Sequence, residues 1–233
     1  DFGAYSQNSW IEYLETGKYV FIRNQDVEGF FIKAGEKIYI SEEVYKRLSL
    51  QLEELDILVQ RAGTLGKASI VLREDLPSTA NQNLAQIKID ASRVSPFYII
   101  AFLNSHFGIS SFERLATGNV QPWLNLEQIN NLPIPVPNHH LQEKIEITLK
   151  KAHYVKIDAE DHYKKAENLL LHKFGINSDE QIEKNISIRS VVEAIQANRF
   201  DAEYWQPKYD EVEARIKTAQ HATFGDIITW KKG

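Results

Sequence analysis

A short loop with two glycines and a basic residue at each end carries the clearest chemical signal in this chain. The loop, residues 61–67, reads Arg-Ala-Gly-Thr-Leu-Gly-Lys and lies between two apolar segments that predict short strands. Two glycines three residues apart allow a sharp turn that leaves backbone amides exposed. Arg61 and Lys67 supply positive charge, and Gly63 and Thr64 add an amide and a hydroxyl. Such a loop suits a polyanion, and the alternative is an ordinary hairpin turn with surface charges.

Side-chain amides near two further loops are candidates for reading bases in nucleic acid. Asn and Gln pair bidentately with adenine in the major groove, and Arg or Lys with guanine, whereas hydroxyl groups more often contact phosphate. The candidate residues are Asn81, Gln82, Asn83, Thr117, Asn119 and Gln121, together with Lys18 and Arg23 near other loop signals. The alternative is that the first group forms Asx-type turns and that the second belongs to a structured loop. We predict that Trp123, which follows the second group, is buried.

The elements that must position these residues form a mixed α/β region over residues 1–137. Strands are predicted where β-branched and aromatic residues are bounded by turn residues, at 18–23, 29–33, 37–40, 56–60, 68–72 and 83–89. Ser41 is predicted to cap a short helix. A second helix is predicted to begin at Ser95, with proline in its first turn, and to end near Phe107.

A helical pattern without proline or glycine extends over residues 138–173. Its apolar positions recur about every 3.6 residues, and a helix of this length measures about 54 Å. A narrow apolar stripe on so long a helix predicts pairing with another helix, the alternative being a core helix of one compact domain. The predicted helix-pairing residues are Leu141, Ile145, Leu149, Ala152, Val155, Ala159, Ala166 and Leu170.

Five sequence blocks follow one another in an order typical of one protein family. They are the Asp-Ile-Leu and glycine-loop segment 56–67, the apolar run 96–105, the segment 116–124, the Pro-x-Pro-x-Pro exit 132–137 and the Gln-x-x-Ile helix start 142–145. Together they resemble the target recognition domain of the specificity subunit of type I restriction-modification systems, over roughly residues 1–175. The Arg-Phe-Asp-Ala-Glu-Tyr-Trp stretch at 199–205 resembles the segment that introduces a second recognition domain in that family.

The resemblance implies an α+β fold, with a mixed α/β target recognition domain followed by a long coiled-coil-type spacer helix. The implied boundaries are 1–137 for a recognition domain truncated at its N-terminus, 138–198 for the helical spacer and 199–233 for the start of a second recognition domain. The chain contains no methionine. Because ordinary composition would include several, we expect either an excised fragment or methionines that were replaced by a non-standard residue and left out of the sequence.

The resemblance also implies a role in DNA recognition without catalysis. It implies double-stranded DNA, DNA methyltransferase (modification) subunits and a restriction subunit as partners, and a homodimer if the protein is half-length. Two recognition domains would then direct adenine methylation and restriction to the two halves of a split target. No cofactor is expected on this chain, whereas S-adenosylmethionine, ATP and magnesium are expected on the partner subunits.

Sequence signals of an enzyme are missing, which agrees with that expectation. There is no cysteine, no Gly-x-Ser-x-Gly nucleophile elbow and no phosphate loop, and the seven histidines lack metal-ligand spacing. No signal peptide or membrane-length apolar run is recognised, which is typical of a cytoplasmic protein. The net charge of −5 at pH 7 opposes general attraction to phosphate, so a DNA-binding face would have to concentrate its cations. Two alternatives stay open: a helical homodimerising interaction module without DNA binding, and the recognition segment of a fused restriction-methyltransferase enzyme.

Overall fold

The computed structural model describes residues 10–33, 35, 37–63, 65–118, 122–175 and 186–229. The chain divides into two compact units, one ending at Tyr154 and the other beginning at Val155, so the division lies within the long helix. In the described part of the chain, no helix combines the length and hydrophobicity needed to span a bilayer.

The first unit mixes short strands with helices. Its strands are β1 Tyr19–Ile22, β2 Tyr39–Ile40, β3 Ile57–Gln60, β4 Ala68–Ile70, β5 Ser78–Ala80 and β6 Leu84–Ile87. Its helices are α1 Glu42–Arg47, α2 Pro96–Leu103, α3 His106–Leu115, α4 Leu126–Asn130 and the beginning of α5 His139–Phe174. Small sheets followed by a long helix confirm the predicted α+β fold class.

Two three-stranded sheets hold the glycine loop, in the orders β2–β1–β5 and β4–β3–β6. Strand β1 runs antiparallel to β2 and parallel to β5, whereas β3 is antiparallel to both of its neighbours. Ile57 and Val59 of β3 pack into one apolar cluster with α2 and α3, and Leu58 packs into a second cluster with Ile22 of β1. Because successive side chains of a strand point to opposite faces, β3 is buried on both sides, and the loop extends from a firmly held strand.

The predicted cap of the first helix is confirmed, and one predicted strand is wrong. The Ser41 hydroxyl accepts a hydrogen bond from the Val44 amide at 3.3 Å, at the start of α1. Residues 29–33 form no strand and take part only in single bridges, such as the parallel one between Phe31 and Ile70. An apolar composition was therefore not sufficient to predict a strand at this position.

The helix predicted from Ser95 to Phe107 is two helices, because α2 ends at Asn104. The Asn104 amide nitrogen donates to the Ala68 carbonyl at 2.9 Å, and its side-chain oxygen accepts from the Ala68 amide at 3.3 Å. Ser105 then caps α3 by accepting from the Gly108 amide at 3.3 Å. A Cβ atom on Gly108 would lie 2.4 Å from backbone oxygens at the end of α2, so the abrupt change of direction requires glycine.

The first turns of α5 are joined to the first unit by side-chain hydrogen bonds. Gln142 is 3% exposed; its Oε1 accepts from the Ser95 amide at 2.8 Å, and its Nε2 donates to the Pro137 carbonyl at 2.8 Å. The Ser95 hydroxyl donates to Glu146 Oε2 at 2.8 Å. The start of the Gln-x-x-Ile motif therefore fixes α5 to the start of α2.

The apolar stripe on α5 has two different environments along its length. Ile145 and Leu149 pack against the main apolar cluster of the first unit, so the prediction that they pair with another helix is corrected here. Val155 and Leu170 are 60% and 58% exposed. The stripe positions Leu141, Ala152, Ala159 and Ala166 are exposed as well.

The second unit contains the rest of α5 and three shorter helices, α6 Val191–Ala197, α7 Pro207–Thr218 and α8 Phe224–Ile227. In the Arg-Phe-Asp-Ala-Glu-Tyr-Trp stretch, the Trp205 indole donates to the Arg199 carbonyl at 3.0 Å. The Arg199 guanidinium, hydrogen-bonded to Asp201, lowers the pKa of that carboxyl to about 2. These contacts close the stretch into a compact turn before α7.

Candidate nucleic-acid interface

The glycine loop is a tight connection between two paired strands. Backbone pairing of β3 and β4 continues to the Gln60 amide, which donates to the Lys67 carbonyl at 3.0 Å. Gly63 and Gly66 have positive φ angles of 87° and 82°, a conformation that favours glycine. A Cβ atom on Gly66 would lie 3.1 Å from the Phe112 ring, so this glycine also permits close packing on α3.

Two side-chain amides, one half-buried and one buried, attach the loop to the short turn that follows β1. The Asn24 side chain donates to the Ala62 carbonyl at 2.8 Å. Gln60, which is 4% exposed, donates to the carbonyls of Asn24 at 2.6 Å and Val27 at 2.7 Å. The 3-10 turn Asn24–Asp26 and the glycine loop are therefore held as one assembly.

A cleft of about 540 Å³ opens between this turn, the loop and the end of β5. Four residues predicted to bind DNA line it, namely Arg23, Gly63, Lys67 and Asn81. The lining also includes Tyr13, Phe21, Asn24, Gln25, Glu28, Ile38 and Gln60. The structure thus brings together four predicted residues that lie up to 58 positions apart in the sequence.

The two predicted cations of the cleft differ in their environment. Arg23 is ion-paired with Asp26, with 2.8 Å between Nη2 and Oδ1 and a second hydrogen bond from Nε at 2.9 Å. Lys67 makes no hydrogen bond or ion pair through its side chain with any residue that the structure describes. Partial burial raises the pKa of the Tyr13 phenol, opposed by the nearby charge of Arg23, so at neutral pH this phenol is a hydrogen-bond donor.

Arg61 lies on the other side of the loop and joins three segments of the chain. Its Nε donates to the Leu124 carbonyl at 3.1 Å and its Nη1 to the Gln82 carbonyl at 3.5 Å. Its guanidinium carbon is 5.4 Å from the centre of the Trp123 ring. The backbone amide of Arg61 also donates to the Asn83 carbonyl at 2.9 Å.

The predicted amide residues of the first group form an Asx-type turn, which was the alternative interpretation. The Asn83 amide donates to Asn81 Oδ1 at 2.8 Å, and the Leu84 amide donates to the Asn81 carbonyl at 2.9 Å. The Gln82 carbonyl accepts from Arg61. The side-chain oxygen of Asn81 is therefore engaged in the turn although the residue lines the cleft.

The prediction that Trp123 is buried is wrong, because the residue is 45% exposed. Its backbone is paired with Thr117 on one side and bridged to Ala62 on the other. Pairing of the backbone on both sides places the indole beside Arg61 at the surface rather than in the core.

Among the other predicted residues, Lys18 is described by the structure and does not line the cleft. Lys18 is exposed, immediately before β1 at the opposite end of that strand from Arg23, with its ammonium 5.3 Å from the centre of the Tyr19 ring. Thr64, Asn119 and Gln121 lie outside the described residues. In the part of the chain that is described, no group of three or more His, Asp or Glu side chains is arranged to hold a metal ion.

Sequence reasoning missed the residues that complete the cleft, in particular Tyr13, Asn24, Gln25 and Gln60. Gln60 did carry a signal, because it is the polar end of an otherwise apolar strand that is buried throughout. A polar residue in such a position needs hydrogen-bond partners, which here are carbonyls of the turn after β1. Those partners are 33 and 36 residues away in the sequence and could not be identified from it.

Comparison with known proteins identifies one family. A family model described as the type I restriction modification DNA specificity domain matches residues 3–167. A search of curated proteins finds no match. The chain is similar to a chain in a structure concerned with complex assembly and conformational transition of the type I R-M system, at 14% identity and a TM-score of 0.45, with 75% of this chain and 46% of that one covered. It is also similar to the HsdS subunit from Thermoanaerobacter tengcongensis, at 12% identity and a TM-score of 0.43, with 77% and 47% covered. The match therefore spans less than half the length of either solved chain.

Proposed function

The chain belongs to the type I restriction modification DNA specificity domain family, and we propose that it recognises a specific DNA sequence through the surface around its glycine loop. The observation that carries this proposal is the gathering of Arg23, Gly63, Lys67 and Asn81 at one cleft. Backbone amides and lysine suit phosphate, and amide side chains suit base edges, so one surface combines positioning with reading.

The distribution of charge supports the same surface. The chain as a whole is acidic, so general attraction to phosphate is weak. Lys67 lines the cleft without an ion pair to any described residue, whereas Arg23 is neutralised by Asp26. One ammonium without an ion pair to a described residue, in a cleft that is also lined by amide side chains, favours a contact that depends on correct docking of the duplex.

The proposed partners follow from membership of the family. We propose that the protein directs a DNA methyltransferase that modifies adenine, and a restriction subunit, to a split target. S-adenosylmethionine would then be bound by the methyltransferase, and ATP and magnesium by the restriction subunit, with no chemical step on this chain. The two halves of the target would be read by two recognition domains, from one protein or from two copies of it.

Helix α5 is proposed to hold those two recognition domains apart by pairing with a second helix. The exposed positions Val155 and Leu170 support pairing over the second half of α5, because apolar side chains at helical spacing are stabilised by a partner helix. The double substitution Val155→Asp with Leu170→Asp should abolish this pairing.

The pairing is tested by light scattering of the protein co-expressed with its methyltransferase. We expect the molar mass to fall in the double variant and to stay unchanged in the control Asn168→Asp, which adds one charge on the opposite face of the same exposed helix. An unchanged mass in the double variant would contradict helix pairing. Ile145 is unsuitable for this test, because it packs on the core of the first unit.

The recognition function itself is tested by mapping methylated adenines in a genome that carries this gene, with the gene intact and deleted. A methylated motif that disappears with the gene and returns with a plasmid copy is the expected result. The motif should then compete for binding to the purified complex better than a duplex with the same composition in scrambled order. An identical methylation pattern in both strains, together with equal binding of both duplexes, would contradict the proposal.

A further inference from the structure

Trp123 is 45% exposed, although its backbone is fixed by hydrogen bonds to neighbouring segments. The Thr117 amide donates to the Trp123 carbonyl at 3.0 Å, and the Trp123 amide donates to the Thr117 carbonyl at 2.8 Å. The next residue, Leu124, is fully buried, and its amide donates to the Arg61 carbonyl at 2.8 Å. The exposed indole is therefore carried by a short strand-like segment fixed on both sides.

The Arg61 guanidinium packs against the protein-facing side of the Trp123 indole. It lies 5.4 Å from the ring centre while donating to the Leu124 and Gln82 carbonyls. Two carbonyls from different segments orient the planar guanidinium, and a cation over an indole is attracted by the electrons of the ring. An aromatic ring that is already ordered loses little conformational entropy when it is covered by a ligand.

The position of the ring points to DNA as the ligand. The backbone of Trp123 is bridged to Ala62, which immediately precedes Gly63 of the cleft, so the indole and the cleft border the same loop. Exposed aromatic rings beside basic side chains commonly bind base faces in single-stranded nucleic acid, and in the groove of a duplex an apolar side chain can contact base edges such as the thymine methyl group. We propose, resting on the proposed function, that Trp123 packs against a base edge in the groove of the target duplex and that Arg61 positions its ring for this contact.

Photo-crosslinking with halogenated bases tests the contact directly. Duplexes carrying the methylated motif, with 5-iodouracil at successive positions, are irradiated with the full chain co-expressed with its methyltransferase. We expect crosslinking at one position or two adjacent positions, with the DNA adduct mapped to the peptide that contains Trp123. In Trp123→Ala this crosslink should be lost and the affinity for the specific duplex should fall about 5- to 150-fold, as for removal of one side chain that contacts a base.

Two matched variants separate this contact from a structural effect. Trp123→Phe keeps an aromatic ring and should retain most of the affinity. Trp205→Phe changes another tryptophan that lies near a guanidinium, that of Arg189 at 5.1 Å, but belongs to the second unit, and it should leave the crosslink unchanged. Thermal unfolding of each variant shows whether the fold is preserved.

The possible results distinguish this contact from the proposed function. A wild-type complex that binds specific and scrambled duplexes equally would overturn the recognition function and this contact with it. Specific binding by the wild type, with no adduct at Trp123 and unchanged affinity of Trp123→Ala, would overturn the contact alone. Loss of methyltransferase from Trp123→Ala, with no adduct in the wild type, would assign the indole to a protein partner and would also overturn it.

Discussion

The two ends of the glycine loop carry the same charge in different surroundings. At one end, Arg61 donates to carbonyls of two other segments and lies beside Trp123. At the other end, Lys67 lines the cleft and has no polar partner through its side chain among the described residues. A planar guanidinium with several donors suits carbonyl oxygens fixed by the fold, whereas an ammonium on a flexible chain is strongly hydrated. The same sequence signal, a basic residue next to a turn, therefore has a structural meaning at one end and is available for a ligand at the other.

The two glycines repeat this difference. Gly66 is buried against the Phe112 ring. Gly63 is exposed at the cleft, where an added Cβ would approach the Asn24 amide nitrogen at 3.4 Å and no other described group within 4 Å. Gly66, which faces the protein core, thus lies in the same half of the loop as Lys67, whereas Gly63 lies in the half that carries Arg61. Each half of the loop therefore combines one residue that stabilises the fold, Arg61 or Gly66, with one that is available to a ligand, Gly63 or Lys67.

The largest effect is expected for Gly66→Ala. A side chain at a φ of 82° is strained, and its Cβ would press on Phe112, so we expect the free energy of unfolding to fall by about 2–4 kcal/mol. The matched control Gly63→Ala has the same backbone strain with more room and should cost about 1–2 kcal/mol. Urea denaturation of the two variants measures the difference, and equal losses would show that packing on Phe112 does not matter.

Arg61→Ala should follow, again as an effect on stability. The change leaves the Leu124 and Gln82 carbonyls without a charged donor and should lower the free energy of unfolding by about 1–3 kcal/mol. Arg61→Lys should recover only part of this loss, because lysine cannot reach both carbonyls with a rigid fork. Denaturant unfolding is the measurement. A variant Arg61→Ala with full stability but without DNA binding would show that Arg61 contacts DNA and does not stabilise the fold.

Lys67→Ala should separate binding from stability. The side chain has no polar partner in the described protein, so the free energy of unfolding should change by less than about 0.5 kcal/mol. Affinity should fall for all duplexes alike, and the slope of log K against log salt should decrease by about 1, as expected for one phosphate contact. Lys18→Ala removes the same charge outside the cleft and is the matched control for binding. An equal loss in both variants would mean that net charge alone is responsible.

The smallest effect on DNA recognition is expected for Asn81→Ala. Its side-chain oxygen accepts from the Asn83 amide at 2.8 Å, so loss of this bond should cost about 0.5–1 kcal/mol of stability. If the turn is the whole role of Asn81, the methylated motif should stay the same, as read by sequencing of modified adenines. A motif relaxed at a single adenine would instead show that Asn81 reads a base from the cleft.

Local signals predicted the strands around the loop and the cap of α1 well. Apolar runs before and after two glycines, and Ser41 before a helical pattern, act over a few residues, and both appear in the structure. The break between α2 and α3 also had a local signal, in Ser105 followed three residues later by Gly108. It was missed because the apolar pattern continues across the break, while the partner of Asn104 lies 36 residues upstream.

Features that depend on distant pairing could not be predicted from the sequence. Strand β5 consists of Ser78, Thr79 and Ala80, which have no clear strand pattern, and it exists because it pairs with β1 and because the Thr79 hydroxyl donates to the Leu50 carbonyl. The exposure of Trp123 likewise follows from backbone pairing with Thr117 and Ala62. Of the segments that line the cleft, the sequence identified the glycine loop, residues 61–67, but not the turn Asn24–Asp26 that contacts it.

The attachment of Gln142 to Ser95 has a consequence for exchanging recognition domains between proteins. A chimera joined at the predicted boundary of residue 138 takes Ser95 and Gln142 from different parents and retains these hydrogen bonds only if both parents supply matching groups. A junction placed after His153, whose ring contacts Glu74, would transfer the domain together with the helical surface that supports it. The segment that carries all of these contacts with it is therefore longer than residues 1–137 and includes the first part of α5.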